Sequence, residues 1–276
     1  MSNIDHIIKK IEAVDLKDEK AIEILENILS SNINKLPIFL TSFAVGKSLI
    51  RTRFLSDKED FHHSIADFSY NPNPMYVKIG RVNYCEQQIF YGSRFRATSL
   101  GEIRFIYANK VNNKARFSIG KWEVKRKLRL AAIISPELIN HHNAEELFGL
   151  AEFIKETEEK FINKEEFKEY IEIYKYIAKK FTEPIQENEE YKYKITAVFS
   201  NFIFSKFKDI DGIIYQSVQY PVHFNIALKK NVIDLNQIQL TNASKQTFAI
   251  ENKIHFKEQE TIEASKIDYV TNLINW

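Results

Sequence analysis

The chain has 276 residues, of which 44% are hydrophobic, 28% charged and 13% aromatic. This length and composition are typical of a folded protein of one large or two small domains, and they exclude fibrous and disordered chains. The formal net charge is only +2, from 39 basic and 37 acidic residues, which is too small to indicate a nucleic-acid-binding surface. We therefore expect no direct nucleic-acid partner.

The cysteine content and the apolar runs bear on location. The single cysteine, Cys85, has no partner for an internal disulfide, which is typical of a reducing compartment. The first thirty residues carry charges throughout and lack the apolar core of a signal peptide. The longest apolar runs, Leu36–Phe43 and Leu130–Ile134, are far shorter than the roughly 20 residues of a membrane helix. We expect a cytoplasmic protein with no membrane partner.

The first half of the chain changes from helical to extended patterns. Apolar residues at helical spacing predict a pair of helices within residues 3–34. The pattern is β-like from Pro37 to Phe54, and Tyr70–Pro74 is a loop rich in Asn and Pro. Gln87–Ser93 is predicted to be a short strand, and residues 96–109 a helix. The alternation in the strand places Ile89 and Tyr91 on one face and Phe90 on the other.

The second half continues this mixture without a regular strand–helix repeat. We predict, in order, two strands in Arg116–Ser135 that are interrupted near Arg126, charged helices in 136–180, an amphipathic helix at 191–206, extended segments at Ile213–Val218 and His223–Leu228, and a weakly alternating tail from 231. Intermixed helices and strands of this kind favour the α+β class.

Three short motifs are more simply explained without chemistry. Gly46-Lys47-Ser48 resembles the end of a Walker phosphate loop, but Thr41 stands where that loop needs its first glycine. The pairs His62-His63 and His141-His142 point their side chains in different directions and lack a third ligand at metal-site spacing. We expect no metal site, and Cys85 shows no sign of a base that would make it a nucleophile.

Four segments form an ordered constellation of arginines, a tyrosine, a glutamate and a serine. They are IRTR at 50–53, IGRVN at 79–83, FYGS at 90–93 followed by ATSLGE at 97–102, and DGIIYQS at 211–217. In this order and spacing they resemble the RES domain, whose members act on NAD and are related in fold to ADP-ribosyltransferases. The resemblance extends from about residue 48 to 230. It implies an ADP-ribosyltransferase-like mixed β core with surrounding helices.

The resemblance also assigns roles to individual residues. It implies that Glu102, Arg81 and Tyr91 are catalytic, and it implies a second group that binds NAD, the substrate. This second group consists of Arg51, Arg53, Asn83, Ser93 and Ser217. The chain departs from the family pattern at Val82, where a larger aromatic residue is expected, at Gln216, which replaces a proline, and in the long stretch between Glu102 and Ser217.

The residue types themselves suit cleavage of the bond between nicotinamide and ribose. Guanidinium groups bind phosphate oxygens bidentately, so Arg51 and Arg81 fit the pyrophosphate of NAD. The flat ring of Tyr91 can stack on the cationic nicotinamide ring. One carboxylate, Glu102, can suffice to stabilise the oxocarbenium-like ribose, because nicotinamide departs as a neutral molecule. Asn83 and Ser217 would position the amide or the ribose hydroxyls.

Each of these side chains also has a simpler structural explanation. Ser99 and Glu102 match the spacing of a helix capping box, in which Glu102 would satisfy a backbone N–H. Tyr91 could be a tyrosine at the edge of the core, Ser217 a solvated hydroxyl, and Arg53, on the same strand face as Arg51, a surface ion-pair former.

Two functional hypotheses follow. The first is an enzyme that cleaves NAD and passes ADP-ribose to water, phosphate or a protein side chain, acting as a bacterial growth-inhibiting toxin. For this hypothesis the resemblance implies an antitoxin partner with a DNA-binding domain, and compact members of the family are often dimeric. The second is a non-catalytic protein that binds a nucleotide or docks a partner on a RES-like core.

The same hypotheses predict a domain organisation. Residues 1–36 form an N-terminal helical segment, and residues 37–235 form the NAD-binding domain with a helical insertion at about 136–206. Residues 236–276 form a C-terminal extension.

Overall fold

A computed structural model gives the fold. It describes residues 3–32, 38–56, 62–103, 114–135, 150–160, 163–251 and 255–276. The helical pair predicted at the N-terminus is confirmed as α1 (Asn3–Glu12) and α2 (Ala21–Asn32). Their buried residues recur every third or fourth position, as on one face of a helix: Ile4, Ile7 and Ile11 in α1, and Ala21, Leu25 and Leu29 in α2.

Nine strands of the described chain form one mixed sheet. They are β1 (Phe39–Phe43), β2 (Ser48–Leu55), β3 (Ile89–Ser93), β4 (Lys114–Val124), β5 (Leu128–Ile133), β6 (Gly212–Gln216), β7 (Phe224–Lys229), β8 (Ile238–Glu251) and β9 (His255–Glu263). Their order in the sheet is β1-β5-β6-β7-β3-β2-β4-β8-β9. Neighbouring strands are antiparallel except β5 and β6, which are parallel. A short hairpin, β10 (Lys266–Asp268) and β11 (Leu273–Asn275), follows.

Helices cover this sheet, so the predicted α+β class is confirmed. The remaining helices are α3 (Arg96–Glu102), α4 (Leu150–Lys160), α5 (Lys164–Thr182), α6 (Tyr193–Lys206) and α7 (Lys230–Asp234). The helix predicted at 96–109 ends at Glu102, and its continuation at 104–109 lies outside the described residues, as do 136–149 with both His141 and His142. In the described part of the chain, no helix is both long and apolar enough to cross a membrane.

Strand alternation divides the core between the two faces of the sheet. Ile89 and Tyr91 pack in the cluster under α1, α2, α5 and α6, whereas Phe90 packs in the cluster on the opposite face. The face assignment predicted for this strand is therefore confirmed. Ile213 and Ile214 in β6 separate in the same way, as expected for side chains that alternate along a strand.

The prediction that α6 is amphipathic is wrong. Six consecutive residues of this helix, 195–200, are buried, because α6 packs against α2 and α5 and shares a buried cluster with Ile133 and Ile213 of the sheet. Two of the six are polar, and a hydroxyl in this stretch remains satisfied because Ser200 Oγ donates to the carbonyl of Thr196 at 2.8 Å. A helix that is buried around its circumference for most of a second turn does not show a continuous polar stripe.

The chain after residue 235 continues the same sheet. β8 runs for 14 residues and pairs with β4 from Ile238 to Ala249, and β9 pairs with β8 in turn. The segment predicted as a C-terminal extension thus supplies two strands of the sheet that carries the candidate site.

The sheet opens between β2 and β3. Among the described residues, these strands share a single pairing, Ile50 opposite Ser93, whereas β2 pairs with β4 at eight positions and β3 with β7 at five. Backbone groups beyond that pairing have no ladder partner across the gap. The sheet therefore separates into two parts at this point, and a cleft opens between them.

Candidate functional site

We call the cavity between the two parts of the sheet the split cleft. It has a volume of about 410 Å³ and lies beside β2, β3, α3 and the start of α6. Its lining includes six of the eight predicted site residues, Arg51, Arg53, Arg81, Tyr91, Ser93 and Glu102. The other two, Asn83 and Ser217, lie directly behind it and contact residues of the lining.

Arg51 and Arg53 extend from the same face of β2, as predicted. Arg51 Nε donates to the carbonyl of Ser69 at 2.8 Å, and Arg53 Nη1 donates to the carbonyl of Asp67 at 3.1 Å. A second bond, from Arg51 Nη1 to the carbonyl of Tyr91 at 2.9 Å, reaches a backbone group on β3 across the gap. Arg51 therefore links the two sides of the opening with its own side chain.

Neither arginine has a carboxylate partner among the described residues, so the alternative of a surface ion pair for Arg53 is not supported. Burial, and secondarily the charge of Arg53, lower the pKa of Arg51 to about 10. Arg51 is still a cation at neutral pH. Both guanidinium groups keep N–H donors beyond those used for carbonyls, because each has five.

Arg81 has two contacts that fix it at the end of α5. Its Nη2 donates to the carbonyl of Glu183 at 2.7 Å and its Nη1 to that of Lys180 at 3.4 Å. These carbonyls belong to the C-terminal end of a helix, where cationic side chains are favoured. The guanidinium also lies over the ring of Tyr193, 5.2 Å from its centroid. Arg81 thus caps a helix and lines the cleft.

Asn83 holds the turn that presents Arg81. Its Nδ2 donates to the carbonyls of Lys78 and Tyr84, and its Oδ1 accepts from the Tyr91 hydroxyl at 2.7 Å. A Cβ at Gly80 would lie 2.5 Å from Asn83 Oδ1, so the turn requires glycine there. Asn83 does not line the cleft, and its side-chain amide is used within the turn, which differs from the predicted contact with substrate.

Tyr91 places its ring against the cleft and anchors it by the hydroxyl. The hydroxyl accepts from the backbone N–H of Val82 at 3.0 Å, in addition to its bond with Asn83. Burial raises the pKa of Tyr91. The phenol therefore stays neutral, and the ring is held in one orientation.

Glu102 is the last residue of α3 and accepts a hydrogen bond from Ser217 Oγ. Ser217 is buried, and its Oγ accepts from the backbone N–H of Tyr220 at 3.1 Å, so the solvated-hydroxyl alternative is wrong. The capping-box alternative is also wrong. Phe95 is the N-cap of α3, and Ser99 lies inside the helix, where its Oγ donates to Thr52 Oγ1 at 2.8 Å.

The polar residues of the lining that were not predicted from sequence include Tyr193, Tyr215 and Asn225. Burial is the main cause that raises the pKa of Tyr215, and the nearby Tyr91 and Glu102 raise it further. Tyr215 lies two residues before Ser217, so strand alternation could have indicated it. Tyr193 begins α6, far along the chain, and no local pattern connects it with β2 or β3.

Asn225 lines the cleft and has an unused side-chain donor. Its Oδ1 accepts a hydrogen bond from Ser93 Oγ, which joins the predicted serine to this unpredicted neighbour. Asn225 is buried, and its Nδ2 has no hydrogen-bond partner among the described residues. Because buried amides are normally satisfied, an unpartnered donor on a residue that lines the cleft makes Asn225 a candidate ligand-binding residue.

The excluded motifs can also be placed. Gly46-Lys47-Ser48 leads into strand β2 and not into a helix, as a Walker loop would, so that exclusion is confirmed. In the described chain, no three histidine, cysteine, aspartate or glutamate side chains are grouped as a metal site would require. Cys85 is an exposed free thiol.

Comparison with known proteins does not assign a family. No protein-family model matches the chain, and no curated protein matches it significantly. The function must therefore be inferred from the geometry of the split cleft.

Proposed function

We propose that the protein cleaves the N-glycosidic bond between nicotinamide and ribose in NAD. The observation that carries this proposal is the composition of the split cleft, in which Arg51, Arg53 and Arg81 lack carboxylate partners among the described residues and Glu102 lines the same cavity. Binding and cleavage of a dinucleotide require both the positive charges and the carboxylate. Its pyrophosphate is anionic, and its ribose becomes cationic as the bond breaks.

The reaction balances without a cofactor. The bond between ribose C1′ and the pyridinium nitrogen breaks, and its electron pair stays with nicotinamide, which leaves as a neutral molecule. The oxocarbenium-like ribose is then captured by the oxygen or nitrogen of an acceptor, which releases a proton. Water, phosphate or a protein side chain can serve as acceptor.

Glu102 provides the stabilising charge. A carboxylate about 4 Å from the developing cation, at an effective dielectric near 20, contributes about 4 kcal/mol, or roughly a thousandfold in rate. The hydrogen bond from Ser217 orients this carboxylate. Ser217 is thus a positioning residue in the proposed reaction.

The remaining lining residues suit the two ends of the nicotinamide nucleotide. The anchored ring of Tyr91 offers a flat face for the cationic pyridinium, an attraction of about 0.5–2 kcal/mol. The free Nδ2 of Asn225 can donate to the carboxamide oxygen or to a ribose hydroxyl. Arg51 and Arg53 supply donors for the pyrophosphate.

The fold family, the biological role and the partner of the protein belong to the same proposal. The mixed sheet and its cleft support an ADP-ribosyltransferase-like fold of the RES type. Such an enzyme would act as a bacterial toxin by depleting NAD, and a protein antitoxin with a DNA-binding domain would restrain it by covering the cleft.

Release of nicotinamide tests the activity. The purified protein is incubated with NAD, and nicotinamide is measured by chromatography. We expect release by the wild type and a loss of about a thousandfold in Glu102→Gln, which keeps the shape and removes the charge. Glu165→Gln, on the exposed surface of α5, is the matched control and should retain full activity. No release by the wild type, or equal release by Glu102→Gln, would reject the proposal.

A non-catalytic nucleotide-binding protein is the second candidate. Its support comes from Arg81, which caps α5, and from Gln216, whose Nε2 donates to the carbonyl of Pro221 at 2.8 Å. Val82 is fully buried in the core. Calorimetry that shows NAD binding, together with no nicotinamide release, would favour this function.

A further inference from the structure

The loop between β6 and β7, residues 217–223, is closed on itself by hydrogen bonds. The Ser217 N–H donates to the carbonyl of His223 at 2.9 Å, and the His223 N–H donates to that of Tyr220 at 2.8 Å. The Tyr220 N–H in turn donates to Ser217 Oγ at 3.1 Å. These bonds join both ends of the loop to its middle, so they fix the residues of the loop relative to one another.

Side chains of this loop contact both ends of helix α3. The ring of His223 packs against that of Phe95, the N-cap, with centroids 4.6 Å apart and planes inclined by 34°. The ring of Tyr220 lies against Gly101, where a Cβ would be 2.6 Å from Tyr220 Cε2. Gly101 immediately precedes Glu102, the carboxylate of the split cleft. The loop is therefore packed along the helix that carries Glu102.

A hydrogen bond joins the middle of α3 to the same loop. Thr98 Oγ1 lies 2.6 Å from His223 Nδ1, and Thr98 is completely buried. In the low dielectric of a protein interior such a bond is stronger than in water. The next residue, Ser99, bonds to Thr52 of β2. Because α3 has only seven residues, and so short a helix is not stable alone, its position depends on contacts of this kind.

We propose that His223 is a positioning residue for the cleavage of NAD, an inference that rests on the function proposed above. Neither His223 nor Thr98 lines the split cleft, so His223 is assigned no contact with the substrate. It holds α3 against the loop, which keeps Glu102 at the end of α3 within hydrogen-bond reach of Ser217. Without the bond to Thr98, the helix and the loop can shift relative to each other, and the carboxylate is no longer held at one place beside the ribose.

Variants at both partners separate the hydrogen bond from the ring packing. His223→Phe keeps a ring beside Phe95 and removes Nδ1, Thr98→Val removes the hydroxyl and keeps the shape, and His223→Asn keeps a polar atom near the position of Nδ1. We expect kcat for nicotinamide release to fall about tenfold in His223→Phe and in Thr98→Val, with KM for NAD unchanged, because the bond acts on the carboxylate and not on binding. His223→Asn should stay within about twofold of the wild-type kcat.

The double variant tests whether the two residues act through one bond. Thr98→Val combined with His223→Phe should lower kcat by about the same tenfold as either change alone, because a bond that is already broken cannot be lost again. His6→Phe, at an exposed histidine of α1, is the matched control and should keep the wild-type kcat. Rates are compared at a temperature at which circular dichroism shows every variant to be folded.

The outcomes distinguish this inference from the proposed function. If the wild type releases nicotinamide and His223→Phe has the same kcat, the inference is overturned and the proposed function stands. The same holds if His223→Asn loses as much activity as His223→Phe, or if the double variant loses about a hundredfold, since the effect would then not depend on the bond between the two residues. If the wild type releases no nicotinamide, both the inference and the proposed function are rejected.

Discussion

The Tyr91 hydroxyl joins strand β3 to the turn that carries Arg81, through its bonds with Val82 and Asn83. Tyr91→Phe keeps the ring but leaves the buried N–H of Val82 without a partner. We expect the free energy of unfolding to fall by about 1–3 kcal/mol, measured by urea denaturation. Tyr76→Phe, at an exposed tyrosine, should change it by less than about 0.5 kcal/mol. Equal stabilities of the two variants would contradict this role of the hydroxyl.

Ser217 and Glu102 should differ in the size of their effects on the proposed reaction. Ser217→Ala leaves the charge of Glu102 in the cleft but removes the hydroxyl that orients it. We expect kcat for nicotinamide release to fall about tenfold, the cost of one lost hydrogen bond to a charged group, with KM for NAD unchanged. A rise in KM at constant kcat would instead place Ser217 in substrate binding.

The residues of the site show what sequence could and could not predict. Strand alternation placed Arg51 and Arg53 on one face, and the ordered motifs brought six predicted residues to one cavity. The role of Asn83 within its turn depends on contacts with Lys78, Tyr84 and Tyr91 that no spacing rule reveals. The cap that Arg81 forms on α5 involves carbonyls about a hundred residues away in the chain.

At the scale of elements, α1 is attached to α5 by a partly buried ion pair. Glu12 Oε1 lies 2.9 Å from Lys180 Nζ and accepts from the Tyr176 hydroxyl at 2.7 Å. Burial would raise the pKa of Glu12, but the hydrogen bonds and positive charge of Lys180, with the bond from Tyr176, lower it overall. A carboxyl whose folded pKa lies below its unfolded pKa stabilises the fold above the unfolded value and loses that contribution as pH falls through the folded value.

A pH series tests this attachment. Glu12→Gln should lower the free energy of unfolding at pH 7, and its difference from the wild type should shrink as pH falls below about 4.5, the ordinary pKa of glutamate. Denaturant unfolding at several pH values measures this difference. A difference that stays constant from pH 7 to pH 3 would show that the pair does not contribute through its charge.

Helices and strands were predicted correctly where the spacing of apolar residues follows which side chains are buried. The stripes of α1 and α2 and the break between β4 and β5 are both present as predicted. Prediction failed for α6, because a helix enclosed by other elements has no solvent-facing stripe. The length of β8 was not predicted either, because its many polar residues weaken the alternation of apolar and polar residues that indicates a strand.

At the scale of the molecule, the decisive feature is the opening between β2 and β3. Each strand has a full set of partners on its outer side, so sequence patterns for the two strands look ordinary. The contacts at the opening join segments that are far apart in the chain, since the Arg51 guanidinium reaches the Tyr91 carbonyl and the carbonyl of Ser69. For that reason the cleft could not be predicted from sequence, although all four charged residues of its lining were.

The most direct test of the central claim is a crystal structure of Glu102→Gln with NAD, a variant expected to bind the dinucleotide without cleaving it. The proposal predicts the pyrophosphate at Arg51 and Arg53, the nicotinamide ring on Tyr91, and ribose C1′ within about 4 Å of the substituted side chain at position 102, the separation used for the charge effect. A dinucleotide bound outside the split cleft, or one whose ribose faces away from that position, would contradict it.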